Sequence, residues 1–227
     1  MKNIKPICII PARMGSQRLK NKNILKVKNC PLIGHVIKIA LKSKIFSKIV
    51  VSTDSKKIAK ISKKYGADVP FLRSKKLSGG NVTIRDTLVD CIKRLGSEKN
   101  KFHFCIYPTA ILLEPNDLLK GFQKIIKYKG NSLLAVVDNG NIYRSFIFNK
   151  KRNELKFKWL KFSKWMSQDL PRSYIDTGTF YIFNTKKLLK SSSIHPKKII
   201  PYFIEKTKGV DLNDKDDLRL IEALKSK

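Results

Sequence analysis

Short apolar segments alternate with amphipathic ones along most of this sequence, and this alternation limits the fold more than any other feature. Residues 6–12 and 48–53 are apolar runs of strand length, and each precedes a segment with apolar residues at helical spacing, 31–43 and 54–66. The same order continues with helices predicted at 83–95 and 114–128 and strands at 102–107 and 132–137. Strands that are apolar throughout are buried on both faces, so the pattern predicts an α/β fold, a mostly parallel sheet covered by helices.

The alternation stops at Asn139. Residues 143–149 and 154–159 instead predict a β-hairpin that carries exposed aromatic side chains. The pattern then resumes, with strands predicted at 178–183 and 199–204 and helices at 185–189 and 214–224. No internal repeat or low-complexity linker divides the sequence, so we expect one domain over 1–227, with residues 139–173 inserted as an arm.

The sequence is strongly basic. Its 227 residues include 49 Lys and Arg against 17 Asp and Glu, a formal net charge of +32. Such a charge attracts nucleic acids. However, 40 of the 49 basic residues are Lys, they are spread over every predicted helix, and no nucleic-acid-binding motif accompanies them. We therefore expect a surface biased toward Lys and no nucleic-acid partner.

The apolar runs and the cysteines bound the class of protein further. No run approaches the ~20 apolar residues that a membrane span needs, and the first residues lack the apolar core of a signal peptide. We therefore expect no membrane partner and a cytoplasmic location. Cys8, Cys30, Cys91 and Cys105 are widely separated and lack zinc-site spacing, so buried, reduced thiols are predicted.

The loop after the first strand, residues 11–23, is the first candidate site, because ligands of open α/β sheets bind beyond the carboxyl ends of the strands. Gly15 lets backbone N–H groups approach an anion, and Ser16 and Asn23 can donate hydrogen bonds. Within a span of ten residues the loop itself carries four cations, Arg13, Arg18, Lys20 and Lys22. The loop therefore suits phosphate, although it matches neither the P-loop nor the dinucleotide-binding glycine pattern. Taken alone, it fits a basic surface turn equally well.

The second candidate site is acidic. Residues 210–217 hold four of the 17 acidic residues, and Mg²⁺ prefers carboxylate oxygens together with several waters. Asp211 and Asn213 would point to the same side if this segment is extended. The alternative is a helix N-terminus capped by Asn213, with the later aspartates favoured by the helix dipole, and both can hold at once.

Several strings occur in the order typical of one enzyme family. They are 10–16 (Ile-Pro-Ala-Arg-Met-Gly-Ser) with 22–23 (Lys-Asn), 50–54 (Val-Val-Ser-Thr-Asp), 66–73 (Gly-Ala-Asp-Val-Pro-Phe-Leu-Arg), 108–110 (Pro-Thr-Ala) and 168–171 (Gln-Asp-Leu-Pro). This set extends over almost the full length. It resembles the signature of the CMP-sugar synthetases, the cytidylyltransferases that activate sialic acid and other nine-carbon 2-keto acids. The strings 105–107 (Cys-Ile-Tyr), 167–171 and 176–181 are most similar to the pseudaminic acid branch.

The resemblance implies a Rossmann-like nucleotide-diphospho-sugar transferase fold with a β-hairpin dimerisation arm, and hence a homodimer. It also implies that CTP and a nonulosonic acid are the substrates. The anomeric 2-hydroxyl of the keto sugar would attack the α-phosphorus of CTP and release pyrophosphate, with Mg²⁺ balancing the charge. Transfer of this kind depends on positioning and electrostatics, so cations, backbone amides and a metal carboxylate are expected rather than a covalent nucleophile.

The resemblance also implies roles for particular residues. Catalytic roles fall on Arg13, Lys22 and Asp211, and Mg²⁺ would be bound by Asp211 with Asn213. The implied nucleotide-binding residues are Ala12, Arg13, Gly15, Ser16, Lys22, Asn23, Arg73, Ser78, Asn81 and Thr83. The implied sugar-binding residues are Tyr107, Thr109, Gln168, Asp176 and Gly178.

The sequence departs from the family pattern in three places. Met166 stands where Arg is common, Ile111-Leu112 replaces the usual Pro-Phe or Pro-Leu, and Asn213 stands where the sialic acid branch has Asp. The strings 105–107, 167–171 and 176–181 favour pseudaminic acid or a close relative over sialic acid, whereas Met166 and Ile111-Leu112 leave the exact sugar open. The alternatives are a 3-deoxy-octulosonate-type cytidylyltransferase and a non-catalytic basic binding protein on the same fold.

Overall fold

A computed structural model describes residues 5–16, 19–140 and 142–226. Within these residues the strands are β1 (Ile7–Pro11), β2 (Lys26–Val27), β3 (Cys30–Pro31), β4 (Lys48–Ser52), β5 (Phe102–Ile106), β6 (Ser132–Asp138), β7 (Phe146–Asn149), β8 (Glu154–Phe157), β9 (Tyr174–Asn184) and β10 (Ile199–Phe203). The α-helices are α1 (Leu32–Ser43), α2 (Lys56–Lys64), α3 (Ile84–Arg94), α4 (Pro115–Lys127), α5 (Thr185–Lys190) and α6 (Lys215–Ser226). The strands and helices predicted from the sequence are all present, with shifted ends.

A six-stranded sheet in the order β10-β6-β9-β5-β1-β4 forms the centre of the described residues. β1 pairs in parallel with β4 and with β5, and β10 pairs in parallel with β6. The predicted mostly parallel sheet is therefore confirmed, with β9 as the antiparallel member between β5 and β6. β9 runs antiparallel because its connection from β6 begins and ends at one edge of the sheet, where Asn139 N donates to Ser173 O at 2.9 Å.

Helices cover both faces of this sheet, as predicted. One face packs against α1, α2, α4 and α6 through residues such as Val36, Ile58, Leu118 and Ile221. The other face packs against α3 and α5, with Leu88, Ile92 and Leu188 in its core. β1 and β5 are buried along their whole length, which explains why their sequences lack the alternation of a half-exposed strand. All four cysteines are free and buried, as predicted.

The helix starts follow local capping chemistry. Ser55 caps α2, as predicted, by accepting a hydrogen bond from Ile58 N. Glu114 and Asp117 form a reciprocal capping box at the start of α4, with Pro115 at its first turn. None of the helices among the described residues is long and apolar enough to cross a membrane.

The arm, residues 139–173, connects β6 to β9. Its hairpin pairs β7 with β8, and the register places Phe146 opposite Phe157 and Phe148 opposite Leu155. These four side chains share one face, on which Phe148 is 52% and Leu155 63% exposed. We call this set the hairpin face.

Part of the arm nevertheless has a small core of its own. Phe162 is only 8% exposed, and its ring centroid lies 4.5 Å from that of Tyr143 and 5.2 Å from that of Trp165. The expectation that the arm's aromatic residues have little core to enter is therefore wrong for Phe162, because the chain after the hairpin folds back over Tyr143.

Candidate active site

The carboxyl ends of β1, β4 and β5 lie at the same edge of the sheet, because these strands are parallel neighbours. A cavity of about 410 Å³ opens there. The residues that line it are Pro11, Arg13, Ser16, Lys22, Asn23, Tyr107, Pro108, Thr109, Gly178, Tyr181 and Asp211. The sheet therefore brings together residues that lie up to 200 positions apart in the sequence.

A second cavity, of about 340 Å³, adjoins the first. The two cavities share Pro11, Arg13 and Tyr107, so these three residues form the boundary between them. The remaining wall of the second cavity is Arg73, Leu77, Gly79, Val82, Ile84 and Thr87. This cavity is more apolar, whereas the first has charged groups of both signs.

The first loop is fixed to the sheet through its backbone. Ala12 N donates to Ser52 O at 2.9 Å, and Met14 N donates to the Asp54 carboxylate at 2.9 Å. Asn23 closes the loop by donating from its side-chain amide to Arg13 O at 2.8 Å. A Cβ on Gly15 would meet no atom of the described residues within 4 Å, so the space in front of this backbone is open. Arg18 lies outside the described residues, and Lys20 is exposed.

Arg13 links the first loop to the 78–83 loop. Its guanidinium donates to Gly79 O at 2.8 Å while still lining both cavities. A single cation therefore holds the two loops together and faces both spaces, which suits a ligand that extends from one cavity into the other.

Lys22 and Asp211 form an ion pair in the wall of the first cavity, with 3.9 Å between Lys22 Nζ and an Asp211 carboxylate oxygen. The Lys22 side chain is 17% exposed and that of Asp211 50% exposed. The carboxylate is thus open to the cavity, while the ammonium group is largely desolvated beside it.

Asp211 also contacts Asn213, whose side-chain amide donates to the other Asp211 oxygen at 3.0 Å. Asn213 Oδ1 is buried and has no hydrogen-bond partner among the described residues. A rotation of this amide about its last bond would place Oδ1 beside the Asp211 carboxylate, so that two hard oxygen ligands would be adjacent. An orphaned oxygen beside a carboxylate fits a hard divalent cation.

The described residues hold no group of three or more His, Cys, Asp or Glu that could bind a metal ion. Mg²⁺ does not need such a group, because it is commonly bound through one or two carboxylates and the phosphates of its substrate. Capping of α6 falls to Asp214, which accepts from Asp216 N and Asp217 N at 2.9 and 3.0 Å. The alternative that Asn213 caps this helix is therefore wrong, and its side chain is left to face Asp211.

Arg73 is buried, with 7% of its surface exposed. Its guanidinium donates to the hydroxyl of Ser52 at 3.1 Å and also to the Ser52 carbonyl. Burial lowers the pKa of Arg73 from its usual value, and the negative charge of Asp54 opposes that shift. A desolvated, held guanidinium in the wall of the second cavity is equipped for hydrogen bonding to a polar ring edge.

The other residues predicted around the nucleotide lie less directly on the second cavity. Ser78 donates to Ser74 O at 2.8 Å, and Asn81 is exposed. Thr83 caps α3, accepting from Asp86 N at 3.1 Å and donating to the Asp86 carboxylate at 2.7 Å. From the 78–83 loop it is Gly79 and Val82 that line the cavity.

Three of the five predicted sugar-binding residues, Tyr107, Thr109 and Gly178, line the first cavity. Burial, and then the neighbouring acidic groups, raise the pKa of Tyr107 far above its usual value, so its hydroxyl stays a neutral donor. Gly178 adopts a φ of +61°, a left-handed conformation that favours glycine. Its N–H donates to the Asp176 carboxylate at 2.9 Å.

Asp176 does not line the cavity itself but is hydrogen-bonded to Tyr181, which does. Tyr181 Oη donates to the second Asp176 oxygen at 2.7 Å, and Tyr181 is itself buried and lines the cavity. Burial, followed by this carboxylate, raises the pKa of Tyr181 well above its usual value. Gln168 lies on the exposed part of the arm, where its amide contacts Met166 Sδ at 3.5 Å, so this chain does not bring it to its own cavity wall.

Sequence reasoning did not select Tyr181, Pro108, Leu77 or Val82 as site residues. For Tyr181 a signal was present, because it lies in the 176–181 string and shares a strand face with Thr177 and Thr179. Pro108 likewise lies in the 108–110 string, whereas for Leu77 and Val82 the sequence holds no such signal, since an apolar residue in a loop is equally typical of a core.

The comparisons with known proteins agree with this geometry. The sequence profile of the family described as "Cytidylyltransferase" matches residues 7–169. A pseudaminic acid cytidylyltransferase of Campylobacter jejuni subsp. jejuni serotype O:23/36 is 34% identical, over 97% of this chain and 96% of that protein. A CMP-N,N'-diacetyllegionaminic acid synthase of Legionella pneumophila subsp. pneumophila is 29% identical, over 96% and 95%.

Among solved structures, a CMP:2-keto-3-deoxy-manno-octonic acid synthetase complexed with CTP superposes with a TM-score of 0.73 at 16% identity, covering 98% of each chain. At this identity the superposition speaks for the fold, and it matches the sheet and helices described above. With the profile covering most of the chain and a relative of 34% identity covering nearly all of it, this chain belongs to the cytidylyltransferase family.

Proposed function

We propose that this protein couples CTP to a nine-carbon 2-keto sugar acid of the pseudaminic acid type, forming the CMP-sugar and pyrophosphate. The observation that carries the proposal is the pair of adjoining cavities at the carboxyl edge of the sheet, joined at Arg13 and Tyr107. The polar cavity suits phosphates and a sugar, and the more apolar one suits a nucleobase. The similarity to pseudaminic acid and legionaminic acid enzymes supports this choice of substrates.

The nucleotide would extend across the Arg13 boundary. Its base would enter the second cavity, where the Arg73 guanidinium can donate to the ring edge of cytosine. Its triphosphate would lie in the first cavity, beside Arg13, Lys22 and the backbone around Gly15 and Ser16. Because the triphosphate carries several negative charges, two cations and the loop N–H groups stabilise it electrostatically.

The chemical step is a substitution at phosphorus. The 2-hydroxyl oxygen of the sugar forms a bond to the α-phosphorus, the bond from that phosphorus to the bridging β-phosphate oxygen breaks, and pyrophosphate leaves. The hydroxyl proton passes to solvent. Arg13 and Lys22 would stabilise the charge that develops on the phosphate oxygens, which is the main contribution a protein makes to this kind of transfer.

Asp211, with Asn213, is our proposed site for Mg²⁺. When bound, Mg²⁺ neutralises phosphate charge and acts as a Lewis acid on the phosphoryl oxygens. The chain's own contribution is to hold the Asp211 carboxylate open to the cavity opposite Lys22. The orphaned Asn213 oxygen supports this assignment.

The sugar would lie at the end of the first cavity formed by Tyr107, Thr109, Gly178 and Tyr181, with Asp176 held by the Tyr181 hydroxyl. A held carboxylate accepts hydrogen bonds from the hydroxyl or acylamido groups of a sugar. A 3-deoxy-octulosonate-type substrate remains the alternative, supported only by the shared fold.

We also propose a homodimer in which the hairpin face packs against a second copy. Large apolar side chains with half or more of their surface exposed support this, since burying them removes apolar area from water. Gln168 would then serve the partner's sugar site rather than its own. We further propose that residues 1–227 act as one catalytic domain in the cytoplasm, the compartment that the four reduced cysteines suit.

The test is release of pyrophosphate with CTP and a panel of keto acids: pseudaminic, legionaminic, sialic and 3-deoxy-octulosonic acid. We expect turnover to require CTP and to be fastest with pseudaminic acid. Preference for the octulosonic acid would overturn the sugar assignment. Absence of release with every acid, from folded protein that binds CTP, would favour the non-catalytic binding protein.

A further inference from the structure

Lys208 lies behind the candidate active site and joins two separate parts of the chain. Its ammonium group is 3.1 Å from a Glu114 carboxylate oxygen and 3.2 Å from an Asp117 carboxylate oxygen. The Lys208 side chain is 17% exposed and that of Asp117 12% exposed. Asp117 also accepts from Tyr202 Oη at 3.1 Å and from Glu114 N at 2.8 Å. We call the contacts of Lys208 with Glu114 and Asp117 the clasp.

Both loops that the clasp connects contribute walls to the first cavity. Glu114 ends the loop that starts at Tyr107 and includes Thr109, two lining residues. Lys208 precedes Asp211 by three residues, and Asp211 lines the same cavity. The clasp therefore ties these two loops to each other.

The residues between Lys208 and Asp211 transmit this constraint. A Cβ on Gly209 would lie 2.8 Å from a Val137 methyl and 2.9 Å from a Thr177 methyl, so the backbone packs directly on the sheet there. Leu212, directly after Asp211, is fully buried in the core. Gly209 and Leu212 thus tie residues 209–212 to the sheet and the core, and the clasp adds a third tie, to α4, directly before Gly209.

We propose that Lys208 is a positioning residue that sets the affinity of the Asp211 site for divalent metal, an inference that rests on the proposed role of Asp211 as a metal ligand. Loss of the clasp releases residues 205–208 from α4 and leaves Gly209 and Leu212 as the remaining ties, so the Asp211 carboxylate is held less firmly beside Lys22. The metal site weakens although no ligand has changed.

The experiment measures Mn²⁺ binding, in the presence of CTP, by electron paramagnetic resonance on the whole chain, and alongside it the Mg²⁺ concentration for half-maximal turnover. For Lys208→Met we expect Mn²⁺ affinity to fall about tenfold and the half-maximal Mg²⁺ concentration to rise in parallel, with turnover recovering at high Mg²⁺. Lys208→Arg keeps the charge and should retain most of the affinity. Lys206→Met, at an exposed position on the same loop, is the matched control.

A purely structural role would lower the melting temperature or the active fraction of Lys208→Met while leaving the half-maximal metal concentration unchanged, and that result would overturn the inference. If Lys208→Met does not fold, Glu114→Gln takes its place, because Glu114 is exposed and Gln still accepts hydrogen bonds. A weakening of about threefold in Mn²⁺ affinity is expected there. Glu205→Gln is its control, and equal affinities in the two would also overturn the inference.

Asp211→Asn separates this inference from the proposed function. If Asp211→Asn loses Mn²⁺ and the clasp variants keep it, only the clasp is wrong. If Asp211→Asn binds Mn²⁺ like the wild type, the metal assignment fails and the clasp with it. If the wild type shows no CTP-dependent turnover while the metal-affinity changes appear as described, the proposed reaction fails and the clasp stands.

Discussion

The loops at the carboxyl edge of the sheet and the arm both carry side chains that are suited to contact a binding partner. In the loops these side chains are polar, and in the arm they are apolar. The first loop is held by hydrogen bonds from Ala12 N to Ser52 of β4, from Met14 N to Asp54 and from Asn23 to Arg13 within the loop, and polar groups such as those of Lys22 and Asp211 line a cavity. In the arm the apolar side chains of the hairpin face are exposed. The loop site is therefore suited to a highly charged ligand, and the hairpin face is suited to an apolar surface.

This difference separates the chemistry of the site from the chemistry of association. Polar groups in an open cavity are solvated by water, so they are stable before a ligand binds. The main requirement for binding is then a rigid backbone that holds them in place. Exposed aromatic residues are unfavourable in water, and only a second surface relieves this. Substitutions in the loops should therefore change turnover without changing assembly, and substitutions on the hairpin face should act first on assembly.

The largest effect is expected at the metal site. Asp211→Ala should lower kcat/KM by about 10²–10³-fold, because it removes the carboxylate that would bind the metal. Asn213→Ala should lower it by about tenfold. Steady-state turnover at saturating Mg²⁺ measures both, with circular dichroism to establish folding. If Asn213→Ala proved the more damaging, the assignment of Asp211 as the main ligand would be wrong.

Low pH should lower the free energy of unfolding through a histidine of the sheet rather than through the arm, which contains no histidine. His103 is buried on β5 between the hydroxyls of Ser97 and Thr185, at 3.0 and 2.8 Å, and burial lowers its pKa to about 4. Above the unfolded pKa of about 6.5 its contribution to stability is fully present. Between pH 6.5 and 4 the unfolded chain binds the proton first, so about 3 kcal/mol of unfolding free energy is lost.

Urea unfolding at pH 7 and pH 4.5 measures this loss. His103→Gln should be less stable at pH 7 but should show a smaller difference between the two pH values, because its amide does not titrate. Equal differences in the two proteins would show that other groups cause the acid effect.

Arg13 tests whether the loop is built for phosphate. Arg13→Ala should lower kcat/KM for CTP by about 100-fold, mainly through KM, while Lys20→Ala, an exposed cation on the same loop, should stay within about twofold. Both variants should remain folded, because neither side chain belongs to the core. A loss of similar size in both would indicate a general effect of charge rather than a phosphate site.

Much of the fold could be predicted because its signals are local. The fully apolar strands β1 and β5, the Ser55 cap and the capping box before α4 are each determined by a few neighbouring residues. The short antiparallel pair β2–β3 was missed, since it depends on positive φ values at Lys28 and Asn29, residues that carry only a weak turn signal. The early start of β9 at Tyr174 was missed because its first residues gain strand structure from β6 rather than from their own pattern.

The residues of the candidate site show the same contrast between local signals and contacts made by the fold. Arg13, Ser16, Lys22 and Asn23 line one cavity and lie on a single loop after a strand, a position that the sequence pattern alone indicates. The Thr83 cap and the hydrogen bond from Tyr181 to Asp176 join residues only three and five positions apart. The clasp at Lys208 instead depends on contacts with Glu114 and Asp117, which are distant in the sequence. Such contacts leave no periodic trace in a single sequence.

The smallest effect on the isolated chain is expected from the hairpin face, although its effect on assembly is specific. Phe148→Ser with Leu155→Ser removes one cross-strand pair from that face, and both side chains are more than half exposed, so the folded monomer should lose little stability. If the face is a dimer interface, the dimer dissociation constant should rise by about 30-fold or more, the cost of truncating an interface anchor. Analytical ultracentrifugation at several concentrations measures this dissociation constant, and Lys150→Ser with Lys151→Ser in the hairpin turn is the control.

Because Gln168 would serve the partner's site, turnover should fall as the dimer dissociates and recover at high protein concentration. A wild-type chain that stays monomeric and fully active on dilution would overturn the dimer and leave the exposed hairpin face unexplained.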